Sequence, residues 1–476
     1  MIDSKKLLKG IAMLVIMLGI GMIPAPEPMT QLGMKIFGIF LGMIFGWIFI
    51  EIGSVSIIGI VVFILTGCGD AATTFAGTFG TQMTMMILAI LFLVAYAQEQ
   101  KLGDFVADWM MHRKSIKGKP YFFFFTYLLA CFLVSFVSNA VAAMYIMLSI
   151  FQTINEKAGF KKNSKESSLF ILGILISTLL AETSLPVKGT AAMYIGFYSN
   201  LTGSIFNGVL YTVAMIPFCL AVIMLYTLIC KLLFRPNFNQ LVEAIELLSQ
   251  KPSLQMNTEQ KRSIFVIIAF MLCLMLPGIS LPFSFWSIIQ GLGTGGMSLL
   301  CIAFFYFLSI DGKPIFNLST LTKGFSWDVL FMVCAISFVA GQLTTPQTGL
   351  QDLLQATIYP FFESLGPVLL VIFLIVFTVI LTNLINNFVA GSLMISFASI
   401  LLPAFPSLTL DAMFIILTIA SMTAYALPSA CPNTAIAFGL KEYVSFKGMI
   451  FYGVIVTTIL TVFLCIAVWP FVNLIF

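Results

Sequence analysis

The chain has 476 residues, of which 60% are hydrophobic and only 9% charged, against roughly 25% charged in an average soluble domain. No water-soluble fold hides that much apolar surface, so the bilayer is its solvent. The net charge of +4 comes from Lys and Arg dispersed among loops rather than gathered on one face, which sets nucleic-acid binding aside.

The first apolar run follows Lys5, Lys6 and Lys9 and ends at Ile23 before Pro24, Pro26 and Pro28. That proline-rich stretch makes a poor cleavage region, and more spans follow, so a first membrane helix is expected rather than a signal peptide. Apolar periods predict spans over 8–24, 34–50, 54–67, 82–97, 168–200, 206–230, 263–278, 292–309, 327–343, 412–440 and 448–473. The expectation is an all-α integral membrane protein with about eleven spans. Two further stretches, 120–155 and 358–405, are too long for one span and carry polar residues in their middles, as re-entrant hairpins would. The nine cysteines sit mostly in apolar runs without metal-ligand spacing, and read as small buried residues.

Basic residues set the orientation. With the N-terminus inside, every Lys and Arg except Lys35 and Lys188 falls on an inside segment, and the C-terminus lies outside. Stretch 120–155 then has basic clusters on both flanks and opens inward. Stretch 358–405 is flanked by Asp352, Glu363 and Asp411 without any Lys or Arg, and opens outward. Two full spans in place of each hairpin satisfy the charge rule equally well.

The two hairpins resemble each other, for Ser138-Asn139-Ala140-Val141-Ala142 aligns with Asn386-Asn387-Phe388-Val389-Ala390. A second matched pair follows, Ser184-Leu185-Pro186-Val187-Lys188-Gly189 and Ala426-Leu427-Pro428-Ser429-Ala430-Cys431-Pro432. Similar order with opposite orientation makes an inverted repeat, an architecture that holds a solute near the midplane at the repeat interface. The expected division is an N-terminal helix (1–30), a first repeat (31–233), a cytoplasmic linker (234–262) and a second repeat (263–476). Pro186 with Gly189, and Pro428 with Pro432, interrupt helices inside spans and free backbone groups that hydrocarbon cannot solvate. Freed N–H groups attract anions and freed carbonyls attract cations, and the amides of Asn139, Asn386 and Asn387 serve either.

At these residues the sequence resembles the divalent anion/sodium symporter family, carriers of dicarboxylates, citrate or sulfate, which repeats a Ser-Asn-Thr tripeptide in its hairpins. The resemblance implies a sodium-coupled homodimer in the inner membrane whose transport domain moves like an elevator. It implies that Asn139 and Asn387 contact both sodium and substrate, with Ser135 and Ser138 beside Asn139 at the first sodium site. Thr382, Asn387 and the carbonyls near Ile385 and Ala430 would form the second sodium site. Ser138, Ala140, Gly189, Asn386, Phe388, Cys431 and Pro432 would complete the substrate site. Ala140 and Phe388 stand where the family places threonines, which predicts a solute with one carboxylate and an apolar part. Ser135 is one residue out of register with the family's extra hydroxyl. Lys188 occupies the place matched by Ala430, and with Glu182 it is a candidate built-in cation, against the alternative of snorkelling to an interface. Fewer sodium sites than the family usually has would follow.

Other classes share some of these features. A sodium-independent or proton-coupled exchanger, or a monocarboxylate carrier, fits the same fold, and an anion channel would also use broken helices. An intramembrane protease reading of Gly69-Asp70 lacks a partner acid, and His112 lies in a basic loop, so no enzyme is expected. Trp327-Asp328 reads as an interfacial anchor.

In a cysteine-free background, single cysteines at positions 115 and 163 are expected to react with an impermeant maleimide only from the cytoplasm, and one at 408 only from outside. Labelling of 115 and 163 from opposite faces would break the inward hairpin.

Overall fold

The computed structural model describes residues 4–102, 118–204, 206–242, 257–278, 286–310, 313–322, 327–343, 345–357, 359–428 and 430–476, with positions 105, 108 and 284. His112, Arg113, Lys114, Lys117, Lys251, Asp311, Lys323, Ser429 and position 115 lie outside the described residues. The architecture is helical, with a single antiparallel pairing of Ser309–Ile310 with Lys313–Pro314 among the described residues.

The first helices are α1 (Ser4–Ile20), α2 (Gln31–Phe49), α3 (Ile52–Leu65), α4 (Ala71–Thr78) and α5 (Gln82–Glu99). Asp70 caps α4, accepting the Thr73 N–H at 3.0 Å. Hydrogen bonds from the Thr73 hydroxyl and amide hold its exposed carboxyl below the usual range. A helix cap accounts for this aspartate. After α5 come α6 (Pro120–Val137), α7 (Ala140–Ala158), α8 (Lys165–Ala181), α9 (Gly189–Thr202) and α10 (Gly208–Ile229). Helices α11 (Thr258–Met275), α12 (Trp286–Phe307) and α13 (Trp327–Leu343) lead into α14 (Pro367–Leu384), α15 (Asn387–Leu401), α16 (Leu410–Ser421), α17 (Pro432–Gly439) and α18 (Phe446–Phe463).

One order of elements occurs twice. A helix pair with a short break (α6–α7, α14–α15) precedes a buried helix (α8, α16), a gap, a shorter helix (α9, α17) and a long apolar helix (α10, α18). The first pair breaks at Ser138 and Asn139 and the second at Ile385 and Asn386. The second pair begins at Pro367, later than the apolar stretch suggests, because Gly366 at φ 82° ends a separate short helix and the proline starts a new one. Asn139 caps α7 by accepting the Ala142 N–H at 2.8 Å, and Asn386 caps α15 by accepting the Phe388 N–H at 3.0 Å. Asparagine is among the strongest N-cap residues, so each break restarts its helix at once.

The long spans expected over 168–200 and 412–440 are each two helices. α8 is buried at every residue from Ser167 to Ala181, and α16 from Ala412 to Ser421. A helix apolar all round needs protein on every side, and α6 and α7 pack on α8 as α14 and α15 pack on α16. α9 touches α5, α13, α15 and α16, which joins the two sets. By length and composition, six described helices can cross a bilayer, or seven with α4 and α5 taken as one bent span. The breaks divide the remaining apolar segments into shorter helices.

Candidate functional site

The first break collects four groups. Lys188, the N-cap residue of α9, is 2% exposed. Its Nζ donates to the carbonyl oxygens of Ser135 and Ser138, each at 2.8 Å. Those carbonyls lie at the C-terminal end of α6, the negative end of its dipole. Glu182 Oε1 stands 4.0 Å from the ammonium and accepts the Ala140 N–H at 2.9 Å. Placing a lysine at mid-membrane costs about 2.5–3.5 kcal/mol on insertion scales. A hydrogen bond to a charged group contributes about 1.5–3 kcal/mol, so two such bonds offset that cost without any reach to an interface.

Ser135 also anchors the hairpin, since its hydroxyl donates to the Thr178 carbonyl at 2.8 Å. The Ser138 hydroxyl turns back to the Val134 carbonyl at 2.6 Å. From the far end of the chain, Asn433 of α17 donates its amide to the Ala140 carbonyl at 2.9 Å.

The second break is built without charges. Thr382 Oγ1 donates to the Ser421 carbonyl at 2.5 Å and lies 3.1 Å from Asn387 Oδ1. Asn383 holds the gap after α16 open, donating to the Thr423 carbonyl at 3.0 Å while its Oδ1 accepts the Ala426 N–H at 2.8 Å. Tyr194 of α9 reaches across, its hydroxyl 2.6 Å from the Asn387 carbonyl oxygen and 2.7 Å from Ser421 Oγ. α15 can pass this close because residue 391 is glycine, where a Cβ would collide with that hydroxyl. Each hairpin tip is thus held by its own neighbouring gap and by one side chain from the other set of helices.

Beside the second tip lies a cavity of about 260 Å³. Asn386, Ala430, Cys431 and Pro432 line one side, with Ile385 and Pro428, and Trp47 with Ile48 of α2 lines the other. Thus Asn386, Ala430, Cys431, Pro432 and Ile385 are brought together, while Ser135, Ser138, Asn139, Ala140, Gly189, Glu182 and Lys188 gather at the first tip. Phe388 does neither. Its ring is buried against Tyr194 and Phe197 at centroid distances of 5.1 and 6.4 Å, outside the cavity wall. Tyr194, Asn383 and Asn433 are the residues that sequence reasoning did not single out. Their signal is a polar side chain in an apolar, buried helix, which must find a partner.

Among the described residues no group of three His, Cys, Asp or Glu could hold a metal ion. Main-chain and side-chain oxygens converge at two places among the described residues, the Ser135 and Ser138 carbonyls under Lys188 and the set formed by Thr382, Asn387 and Ser421.

Residues 40–420 match the family model described as a citrate transporter. Over its whole length the chain is similar in fold to the YdaH transporter of Alcanivorax borkumensis, whose crystal structure is described as revealing an unusual topology. The TM-score is 0.53 at 15% identity, covering 99% of this chain and 98% of that one. No curated protein sequence matches the chain.

Tyr194→Phe removes the hydroxyl and leaves a buried carbonyl short of a donor, so the detergent-solubilised variant is expected to lose about 1–3 kcal/mol of stability, read as a lower melting temperature. Phe388→Thr is expected to lower it as well, with solute preference unchanged in uptake assays because the ring faces protein. A melting temperature equal to that of the unaltered protein in both variants would contradict the packing described.

Proposed function

We infer that this chain, which belongs to the citrate transporter family, is a secondary active transporter of a small carboxylate anion. The family is one of transporters rather than an enzyme class, and it agrees with the resemblance carried by the segments around Asn139 and Asn387. One observation bears most of the weight. Beside the second hairpin tip and its helix break lies a cavity wide enough for a small organic acid, lined by Asn386, Ala430, Cys431 and Pro432.

The solute's carboxylate is held at the second break, where the start of α17 and the Asn386 amide face the cavity. Sodium couples through Thr382 Oγ1, Asn387 Oδ1 and nearby carbonyls, an oxygen set suited to a hard cation. The two sets of helices are inverted repeats, 31–233 and 263–476, in the inner membrane with the N-terminus inside. The hairpins with α8, α9, α16 and α17 move as one body against a scaffold in an elevator-type homodimer. The paired breaks favour alternating access over a channel, since each tip is closed by hydrogen bonds from the opposite set.

Uptake of labelled citrate, succinate and lactate into proteoliposomes tests this reading, with counterflow separating a carrier from a channel. Asn387→Ala is expected to abolish uptake while the protein stays folded. Full uptake by this variant would refute the site, and loss of counterflow with intact flux would point to a channel.

A further inference from the structure

The two breaks differ in charge. Neither Ile385–Gly391 nor the gap from Met422 to Cys431 contains Asp, Glu, Lys or Arg, whereas the gap between α8 and α9 holds both Glu182 and Lys188. A discontinuous membrane helix offers a cation position at its freed carbonyls and an anion position at its freed N–H groups. At the first break this chain supplies both charges itself.

The geometry is that of occupied sites rather than of a bridge between surfaces. The ammonium sits on two main-chain carbonyls at the end of α6, as a desolvated cation would. The carboxylate lies beside it, Oε1 standing 4.0 Å from the ammonium. Oε1 takes the N–H of Ala140, the first residue of α7. Oε2 lies over Gly189, the first residue of α9, where a Cβ would collide with it. Both side chains are nearly sealed, at 3% accessible for Lys188 and 12% for Glu182. Glu182 also fixes the gap through its backbone, because its carbonyl accepts the Ala191 N–H at 3.0 Å.

We propose that the first half of the repeat interface is permanently filled by this ion pair. Lys188 stands where a transported sodium would bind, and Glu182 stands where a carboxylate of the solute would. Sodium and solute are then taken at the second break alone, where Thr382, Asn387 and the Ser421 carbonyl gather oxygens around no fixed charge. This rests on the transporter reading only for the solute; the occupancy of the first break is a property of the ion pair itself.

The test is sodium stoichiometry, measured with radioactive sodium on the purified protein, together with melting in sodium chloride and in choline chloride. The unaltered protein is expected to bind at most one sodium per chain. Lys188→Ala frees the two carbonyls and leaves Glu182 uncompensated, so it is expected to bind one sodium more and to become more heat-resistant in sodium than in choline. The further change Glu182→Gln in that background is expected to remove the added sodium. Two sodium ions on the unaltered chain, or a folded Lys188→Ala protein that binds no more sodium than the original, would overturn the proposal. Should Lys188→Ala fail to fold, the count on the unaltered chain decides. Absence of citrate, succinate and lactate uptake by the unaltered protein would unseat the transporter reading and leave the sodium count to judge the pair.

Discussion

An interrupted helix inside a bilayer exposes main-chain N–H and C=O groups that hydrocarbon cannot solvate, and each must find a partner within the protein. The rest of this structure follows from where those partners come from. Prolines at 186, 428 and 432 end or delay the helices, and the gaps they make lie against the tips of α6–α7 and α14–α15. The same chain of cause runs through both: sequence breaks the helix, the break needs polar company, and that company creates a site.

The two breaks meet this need by different chemistry. At the first, an ammonium and a carboxylate satisfy main-chain groups from α6, α7 and α9. At the second, Thr382, Asn383 and Tyr194 do so with neutral hydrogen bonds. Charged bonds in a low-dielectric interior are stronger and hold geometry more firmly, and removing one partner of such a pair is costly. A neutral network next to a 260 Å³ cavity can exchange a hydrogen bond for a ligand at lower cost. The difference between the charged break and the neutral one therefore comes from the placement of Glu182 and Lys188 alone.

Much of this was legible in the sequence because it is local. Composition called for a membrane, proline and glycine spacing marked the breaks, and Asn139 and Asn386 sit where a helix restarts and needs a cap. Glu182 and Lys188 stood out because charge in an apolar segment is rare. What stayed hidden is long-range. Asn433 binds a carbonyl 293 residues away and Tyr194 one 193 away, and no periodicity announces such a partner. Phe388 misled for a related reason. Alignment placed it at a solute position, but at the end of a helix the neighbouring ring, here Tyr194, decides where an aromatic side chain goes.

The cross-bonds also constrain which parts can move together. Tyr194 of α9 ties the second hairpin to the first set of helices, and Asn433 of α17 ties the first hairpin to the second set. Sliding the hairpins apart would strip two main-chain carbonyls, of Asn387 and Ala140, of these donors, each at about 1–3 kcal/mol. The rest of the cavity lining is different, for Ile44, Trp47, Ile48 and Ile52 meet it with apolar side chains, and Trp47 spends its N–H on Ser56 within the α2–α3 pair. Apolar surfaces lose little when they shift register in a membrane, because lipid is as apolar as the neighbour they leave. Polar cross-bonds thus tie the two hairpins to each other, while the α2–α3 side of the cavity faces them with apolar side chains.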